Sequence, residues 1–361
     1  MSNLIGNRFR VMIFGQSHSP SIGAAIEGLP AGFMPDWQRV NAFMARRAPA
    51  GKSTSTARRE IDAFEILSGL NERGETCGAP LAIRIQNTDA RSQDYEKLRD
   101  VPRPGHADFP AYVKFCGAND IRGGGQFSGR LTAPLCFAGA LAMQLLEKTG
   151  IRVRARVSRI AQISDAPLDF ARPDLDAISQ DEICVVDGQA GEQMRRAILH
   201  AQESGDSVGG VIECFAVGVP AGLGEPMFEG VENRVARAVF GIPGVRGVEF
   251  GAGFAAAEMF GSEHNDAYRV SDGKIIAETN RHGGVLGGIT TGMPLVVRAA
   301  LKPTASIAKE QPSVSLSRKE NETLSVSGRH DPCIVPRAVP CVEAAVAITL
   351  CDMILEQNGG I

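Results

Sequence analysis

The chain has 361 residues, enough for one large domain or two domains of ordinary size. Its 38 lysine and arginine residues nearly balance 41 aspartate and glutamate residues, which leaves a formal net charge of −3. This balance excludes a global electrostatic field that would attract nucleic acid or an anionic membrane, so an anionic ligand must be held by a local cluster of cations.

The first half of the chain predicts short strands and helices in alternation. Residues 8–14 alternate polar and apolar side chains as a strand does, and residues 36–48 carry an apolar stripe typical of an amphipathic helix. Two apolar segments, residues 64–70 and 80–87, flank a polar turn and predict a hairpin. Residues 131–150 are apolar nearly all round, which predicts a helix inside the molecule.

The second half of the chain continues this mixture of elements. The pattern predicts strands at residues 151–163 and 208–219 and helices at residues 191–205, 229–241 and 339–359. No linker rich in serine or proline and no block of like charges divides the chain. We therefore expect a single domain over residues 1–361, of the α+β class.

The N-terminal segment, the longest apolar run and the cysteines indicate in which compartment the protein is expected. The N-terminal ten residues lack the apolar core of a signal peptide, and the apolar run at residues 131–146 is too short to span a bilayer. Eight cysteines lie far apart without a C-x-x-C pair, mostly in apolar surroundings. We expect a cytoplasmic protein with neither a zinc site nor a disulfide framework.

The glycine-rich segments offer one alternative function. Four runs, residues 122–130, 218–226, 241–254 and 282–292, suit places where backbone approaches a ligand closely. Within the third run, GAGFAA matches the dinucleotide pattern G-x-G-x-x-A, and Asp272 follows about twenty positions later. An NAD(P) dehydrogenase is therefore an alternative, although the segment after GAGFAA breaks too soon for the helix that this pattern requires.

Arginines beside glycines and prolines indicate an anionic ligand. A guanidinium group in such a loop is well placed to donate two hydrogen bonds to carboxylate or phosphate oxygens. The arginines in these settings are Arg46, Arg47, Arg58, Arg59, Arg103, Arg122, Arg130 and Arg329. His18, His106 and His330 also lie in turn-rich segments, where a histidine can act as the acid for a leaving phosphate.

The segment GRHDPCIVPRAVP, residues 328–340, allows three interpretations of its own. Cys333 near His330 would suit a nucleophile and its base, the same side chains would suit a metal site, and Asp331 near an arginine would suit an acid–base group beside an anion clamp. The residues of this segment alone do not choose among them.

Nine segments together resemble the motifs of the chorismate synthase family, in that family's order and across almost the whole chain. They are GQSHSPSIG, RSQDY, VPRPGHAD, IRGGGQFSGR, SGDSVGG, VPAGLGEP, GGVLGGITTG, LKPTASI and GRHDPCIVPRAVP. The resemblance implies an enzyme that converts 5-enolpyruvylshikimate 3-phosphate to chorismate and phosphate, using reduced FMN that is not consumed. It also implies a β-α-β sandwich with a helical core flanked by antiparallel-rich sheets, and a homotetramer. Because no segment for NAD(P)H is evident, we expect an external flavin reductant.

The resemblance also implies roles for individual residues. His18 would protonate or stabilise the departing phosphate, His106 would sit against the reduced flavin, and Asp331 would take the proton from flavin N5. Cys333 would have no nucleophilic task and would pack in the core. The anion clamp would comprise Arg46, Arg47, Arg103, Arg130 and Arg329. The flavin contacts would be Gln126, Phe127, Ser128, Pro243, Gly244, Gly287, Lys302, Pro303, Thr304, Ala305, Ser306 and Arg329.

The chain departs from the family pattern at a few positions near these residues. Gln16 and Ser19 stand where the family usually has glutamate and glycine, and Ala48 stands where a third arginine is usual. Gln126 and Phe127 replace the arginine and serine of many members. A flavin-binding protein without catalysis is therefore a third hypothesis, beside the lyase and the dehydrogenase.

Overall fold

The computed structural model describes residues 3–49, 54–55, 62–88, 97–326 and 330–358. Its helices are α1 (Trp37–Arg47), α2 (Asp108–Lys114), α3 (Thr132–Lys148), α4 (Gly188–Glu203), α5 (Val231–Phe240), α6 (Gly261–His264) and α7 (Val335–Asn358). Its strands are β1 (Leu4–Ile5), β2 (Arg10–Gly15), β3 (Ser21–Glu27), β4 (Phe64–Ser68), β5 (Leu81–Gln86), β6 (Arg152–Ile160), β7 (Ile163–Ser164), β8 (Gly210–Val217), β9 (Val245–Phe250), β10 (Tyr268–Ser271), β11 (Lys274–Ala277), β12 (Val285–Leu286), β13 (Ile289–Thr290), β14 (Leu295–Leu301), β15 (Gln311–Ser315) and β16 (Glu320–Leu324).

The elements expected in the first half of the chain are confirmed with small shifts at their ends. The strand expected at residues 8–14 is β2, the hairpin is β4 with β5, and the buried helix is α3. The helix expected at residues 36–48 is α1, which begins where the Asp36 side chain accepts a hydrogen bond from Arg39 N. It ends at Ala48, whose backbone is extended because the next residue is proline.

Two five-stranded sheets form the outer layers of the fold. The first has the strand order β1-β2-β3-β5-β4 and the second has the order β7-β6-β8-β14-β9. Every pairing in both sheets is antiparallel. In β5 the side chains of Leu81, Ile83 and Ile85 are buried and alternate with more exposed neighbours, so one face of this sheet covers the core.

A layer of helices lies between the two sheets. Helix α3 packs on β2, β3 and β5 of the first sheet, α7 packs on β6 and β8 of the second, and α3 and α7 pack on each other. Their approach is close at Gly139, where an added Cβ would come within 2.2 Å of the Ala344 Cβ. The expected α+β sandwich, with a helical core flanked by antiparallel sheets, is confirmed.

Two of these helices have the length and apolar composition of a membrane span. They cover residues 129–148 and 335–357, and their most apolar windows are 83% and 100% buried inside the fold. The expectation for residues 131–146 concerned that apolar run alone, and the helical segment that contains it is longer. Burial identifies both helices as parts of the core, since their apolar surface is already covered by the two sheets.

The last helix begins earlier than the sequence predicts. We expected it to start at Val339, but α7 starts at Val335 and contains Pro340. A proline inside a helix removes one backbone donor. The helix continues through Pro340 because Val335, Val339 and Val342 are fully buried and anchor both sides of the proline in the core. As a result, Arg337 lies on the first turns of a helix rather than in a loop.

The dinucleotide-binding alternative is wrong. The segment GAGFAA follows β9, but β9 pairs with β14 in an antiparallel sheet, whereas a dinucleotide fold requires parallel strands joined through a helix. The chain then enters a six-residue 3₁₀ segment, Gly253–Glu258. Gly253 is required for packing, since an added Cβ would lie 2.0 Å from a Glu249 carboxylate oxygen.

Candidate active site

A cavity of about 200 Å³ lies beside the N-terminal turns of α7 and collects many of the candidate residues. Part of its lining is cationic and consists of Arg47, Arg103, Arg130 and Arg337. Another part is apolar and consists of Ile242, Pro243, Ile334 and Ala338. The lining therefore suits a small ligand that carries both negative charge and a flat apolar surface.

Arg47 and Arg130 share one buried carboxylate. Arg47 ends α1 and donates from Nη1 to Asp62 Oδ2 at 2.6 Å, while Arg130, just before α3, donates to Asp62 Oδ1. The three side chains are at most 5% exposed. Burial alone would raise the pKa of Asp62, but the charges of Arg47 and Arg130 outweigh it and hold this pKa below its usual value. Two cations with one counter-ion leave a net positive charge at the cavity.

Arg47 reaches the cavity because α1 is amphipathic. Val40, Phe43, Met44 and Arg47 lie on its buried face, at the spacing expected for a helix. The guanidinium also donates from Nε to Thr132 Oγ1 at 3.1 Å, which ties α1 to the first residue of α3. A buried arginine held in this way has a fixed orientation, which suits recognition of an anion.

Arg103, His106 and Asp108 form a second buried cluster. Arg103 donates from Nε and Nη2 to the two Asp108 oxygens at 2.7 and 2.8 Å, and from Nη1 to Ser306 Oγ at 3.0 Å. His106 Nδ1 lies 2.6 Å from Asp108 Oδ1 and 3.1 Å from Arg103 Nη2. Because a carboxylate only accepts, we assign the Nδ1 proton to the bond with Asp108.

Opposing effects determine the protonation of this cluster. Burial would raise the pKa of Asp108, but hydrogen bonds from Arg103 and His106 hold it well below its usual value. Burial lowers the pKa of His106, the bond to Asp108 opposes this, and the charge of Arg103 lowers it further, so the net direction is down. The cluster therefore holds a charged Asp108 and a neutral His106 at neutral pH.

The first glycine run brings His18 and His106 close together. Gly123 has a φ of +60°, and a Cβ there would lie 2.7 Å from His18 Nε2. Gly124 has a φ of +83°, and a Cβ there would lie 3.4 Å from His106 Nε2. Glycine is therefore needed at position 123 both for the backbone conformation and for the close approach of His18, and at position 124 for the backbone conformation alone.

The loop that carries His18 is held by Ser19. Its hydroxyl accepts from Gln16 N at 2.9 Å and lies 2.8 Å from Gln16 O and 2.7 Å from Ser21 O, the two carbonyls to which it can donate. Serine in place of the family's usual glycine at position 19 therefore adds hydrogen bonds that hold the loop. In these contacts Gln16 takes part only through its backbone.

Asp331 lies in the cavity between two donors. Its Oδ1 accepts from Ser55 Oγ at 2.9 Å and its Oδ2 accepts from Arg337 Nη1 at 2.5 Å. Arg337 also donates from Nε to Arg47 O at 3.0 Å, which connects α7 to the end of α1. Sequence reasoning missed Arg337, because the predicted helix began after it. Its spacing of six residues from Asp331, just inside a helix that starts at Val335, is the signal that could have found it.

The chain is similar to known proteins along almost its whole length. The family model described as chorismate synthase matches residues 9–355. The chorismate synthase of Lancefieldella parvula is 44% identical over 99% of both chains, and that of Thermococcus gammatolerans is 48% identical over 98% of both. The chain belongs to the chorismate synthase family. It is accordingly an enzyme, a carbon–oxygen lyase of aromatic amino acid biosynthesis.

A solved structure supports the same conclusion for the fold. A crystal structure of chorismate synthase superposes with a TM-score of 0.78 at 30% identity, covering 98% of this chain and 94% of that one. Similarity over nearly the whole length of both chains means that the family's overall architecture is present in this enzyme.

Several residues that the family resemblance assigns to flavin lie at or beside the cavity. Ser128, Pro243 and Thr304 line it, together with His330 from the last motif. Gln126 and Phe127 precede Ser128, and Phe127 is 38% exposed. Gly244 follows Pro243, and a Cβ there would lie 2.6 Å from Ile334 Cδ1.

The segment 302–306 lies against the loop that carries Arg103 and His106. Lys302 donates from Nζ to Gly105 O, and Ser306 Oγ accepts from Arg103. Ala305 is 3.8 Å from the position of a Cβ on Gly105, and Pro303 is exposed. This segment therefore contacts the site mainly through the Arg103 loop, with Thr304 reaching the cavity itself.

Arg46 and Gly287 lie away from the cavity and have other partners. Arg46 forms a bidentate ion pair with Glu343, in which Nη1 donates to Oε2 at 2.6 Å and Nη2 donates to Oε1 at 3.0 Å. Gly287 lies in the β12–β13 turn, whose next residue, Gly288, accepts from Val231 N at the start of α5. Arg329 lies outside the described residues.

Asp62→Asn is expected to lower the free energy of unfolding by about 3 kcal/mol, because it leaves two buried guanidinium groups without their carboxylate. Chemical denaturation measures this loss. The lowered pKa of Asp62 means that the unfolded chain takes up a proton first as the pH falls. Stability should therefore decline below about pH 4 in the wild type, and less steeply in the variant.

Asp176→Asn is the matched control for this prediction. Asp176 accepts from Arg152 at 2.8 Å, but the two side chains are 80% and 58% exposed, so their interaction is screened by water. The control should leave the free energy of unfolding almost unchanged. Equal losses in the two variants would contradict the view that Asp62 neutralises buried charge.

Proposed function

We propose that this enzyme converts 5-enolpyruvylshikimate 3-phosphate to chorismate and phosphate by 1,4-elimination, with reduced FMN as a cofactor that is not consumed. The observation that carries the proposal is the convergence of four arginines, His330 and Asp331 on one cavity, with His18 and His106 at its glycine segment. Membership of the chorismate synthase family supports the same reaction.

The cationic lining suits the substrate, which carries one phosphate and two carboxylates. Asp62 and Asp108 fix the planes of Arg47, Arg130 and Arg103, so these three cations are oriented before the substrate arrives. Preorganised cations of this kind bind anions without a further cost of ordering side chains.

The remaining lining fits a flavin. Ile242, Pro243, Ile334 and Ala338 offer an apolar surface for a flat ring. The Thr304 hydroxyl oxygen is buried and has no hydrogen-bond partner among the described residues, which leaves it available to a polar ligand atom. Reduced flavin, when bound, supplies electron density to the carbon from which phosphate leaves.

The chain's own residues would then move the protons. His18 lies against Gly123 in the cavity wall and would donate a proton to the departing phosphate. His106, neutral and held by Asp108, would present Nε2 at the other side of the same glycine segment. Asp331 would accept a proton, since it is a carboxylate that lines the cavity and is held there by Ser55 and Arg337.

The proposal extends to assembly, location and the source of electrons. Three phenylalanines on the surface, Phe228, Phe254 and Phe260, are 80%, 85% and 77% exposed. Aromatic side chains left this accessible are typical of surfaces that bind a partner, which supports self-association, and the family resemblance implies a homotetramer. The enzyme would work in the cytoplasm and receive reduced flavin from an external reductant.

The reaction itself tests the proposed function. The protein, 5-enolpyruvylshikimate 3-phosphate and photoreduced FMN are mixed without oxygen, and chorismate is measured by its absorbance. Product that appears with reduced but not with oxidised FMN supports the proposal. No chorismate from folded protein with either form would refute it.

Substrate is expected to tighten the binding of oxidised FMN by at least about tenfold, a normal size for coupling between two ligands. A substrate that lies on the flavin excludes water from the shared arginines, and their interaction with each anion becomes stronger in the drier site. Quenching of FMN fluorescence measures both affinities. Inorganic phosphate, which has no ring to stack, is the control, and equal FMN affinity with and without substrate would contradict the shared cavity.

A further inference from the structure

Two cysteines form a sulfur–sulfur contact in the wall of the cavity. Cys136 lies on α3, Cys341 lies on α7, and their Sγ atoms are 3.8 Å apart. Both are free thiols, and Cys341 lines the cavity. No other hydrogen-bonded pair of sulfurs occurs among the described residues. Because a disulfide bond is about 2.05 Å long, the two sulfur atoms must come about 1.8 Å closer, through side-chain rotation and a slight approach of the helices.

The two thiols differ in their electrostatic surroundings. Cys341 receives the hydrogen bond from Cys136, which lowers the pKa of Cys341, and the positive charges of Arg47 and Arg337 act in the same direction against burial. Burial raises the pKa of Cys136 well above its usual value. The pair thus resembles a nucleophilic thiolate beside a resolving thiol.

The other buried cysteines lack this arrangement. Cys333 is 1% exposed in the hydrophobic core, and burial raises its pKa to about 12. Burial also raises the pKa of Cys214 and of Cys351. These three thiols stay protonated, whereas Cys341 belongs to the lining of the active-site cavity, which a small oxidant can enter.

We propose that Cys136 and Cys341 are a redox-active pair that hydrogen peroxide converts to a disulfide and that a thiol reductant restores. The Cys341 thiolate attacks one peroxide oxygen, the O–O bond breaks, and a sulfenic acid and hydroxide form. Cys136 then attacks the Cys341 sulfur, an S–S bond replaces the S–O bond, and the sulfenic acid oxygen leaves as water with the proton of Cys136. Overall, two thiols lose two electrons and two protons to one peroxide, which gives a disulfide and two waters.

The disulfide is expected to disturb the anion clamp. Helix α3 begins at Thr132, which binds Arg47, and α7 carries Arg337, so drawing the two helices together moves the cationic lining. A displacement of 1 Å in an active site lowers rates by about 10²-fold. This effect on turnover rests on the proposed function, whereas formation of the disulfide does not.

Peptide mapping tests the pair directly. The wild-type protein is treated with hydrogen peroxide, its remaining thiols are alkylated, and its peptides are analysed by mass spectrometry. We expect a linked peptide that contains Cys136 and Cys341, and loss of at least about tenfold in turnover that dithiothreitol reverses. If both cysteines are recovered alkylated, or are linked to other cysteines, the proposal is wrong.

Single variants separate the two steps. In Cys136→Ser, dimedone is expected to label Cys341 after peroxide treatment, because the sulfenic acid has no thiol to resolve it. Cys77→Ser, which removes an exposed thiol, should keep both the linked peptide and the reversible loss. If the linked peptide forms in a protein that makes no chorismate, the redox-active pair is supported and the proposed function is not. Failure of the one hypothesis can therefore be distinguished from failure of the other.

Discussion

His106→Ala is expected to lower turnover by about 10²–10⁴-fold, the usual contribution of a positioned acid–base group. His106 Nδ1 is held 2.6 Å from Asp108, and burial keeps the imidazole neutral, so Nε2 is presented beside Gly124 in a fixed direction. Substrate affinity should change by less than about threefold, because the buried arginines that bind the anions remain in place.

The measurement separates rate from binding. Turnover is followed as chorismate formation with reduced FMN, and substrate affinity is followed by FMN fluorescence. His200→Ala is the control, since His200 is an exposed residue of α4 and should not affect either quantity. Normal turnover in His106→Ala would assign His106 to a structural role, as would a loss confined to substrate affinity.

Much of the fold could be predicted from local patterns, because helix and strand periods depend on nearby residues. Helices α1, α3, α4 and α5 and strands β2, β6 and β8 all fall within predicted segments or within a few residues of them. The order of strands could not be predicted. Strand β8 pairs with β14, about 80 positions later, and the register of such a pair depends on packing that no local period records.

The start of helix α7 is a second feature that the sequence pattern did not predict. The apolar pattern predicted a start at Val339, just before Pro340, and Pro336 lies outside the predicted helix. Packing decides otherwise, because Val335 and Ala338 are buried against the core before Pro340 is reached. Tertiary burial outweighs the loss of one backbone hydrogen bond, and Arg337 joins the site as a consequence.

The sequence predicts those candidate site residues that lie in loops with a recognisable motif. His18, His106 and Asp331 come from the motifs, and the structure places them around one glycine segment and one cavity. The distinction between Arg46 and Arg47 was not predictable. Adjacent residues of a helix point about 100° apart, so only one of them faces the cavity. The other meets Glu343, which lies 297 positions away.

Asp331→Asn is expected to fold and bind FMN, yet to turn over at least about 10²-fold more slowly. Asparagine has nearly the same shape, and its amide oxygen can accept from Arg337 while its amide nitrogen donates to Ser55. What the variant loses is the capacity to take up a proton. Turnover is measured with reduced FMN, and the affinity for FMN by fluorescence.

Two neighbouring substitutions act as controls for Asp331. Ser55→Ala removes one hydrogen bond to the carboxylate but leaves its charge and the Arg337 contact, so it should cost far less than Asp331→Asn. Cys333→Ala should keep most of the activity and lose about 1 kcal/mol of stability, because Cys333 is packed in the core away from solvent.

These three variants decide between a nucleophilic cysteine and an acid–base aspartate in residues 328–340. A nucleophilic cysteine would make Cys333→Ala inactive, but this thiol is buried and its raised pKa keeps it protonated. A carboxylate that only fixes Arg337 would let asparagine substitute for aspartate, because the amide oxygen accepts the same hydrogen bond. A slow Asp331→Asn beside active Cys333→Ala and Ser55→Ala variants is the result that identifies Asp331 as the proton acceptor; an active Asp331→Asn variant would move that role to another group in the cavity.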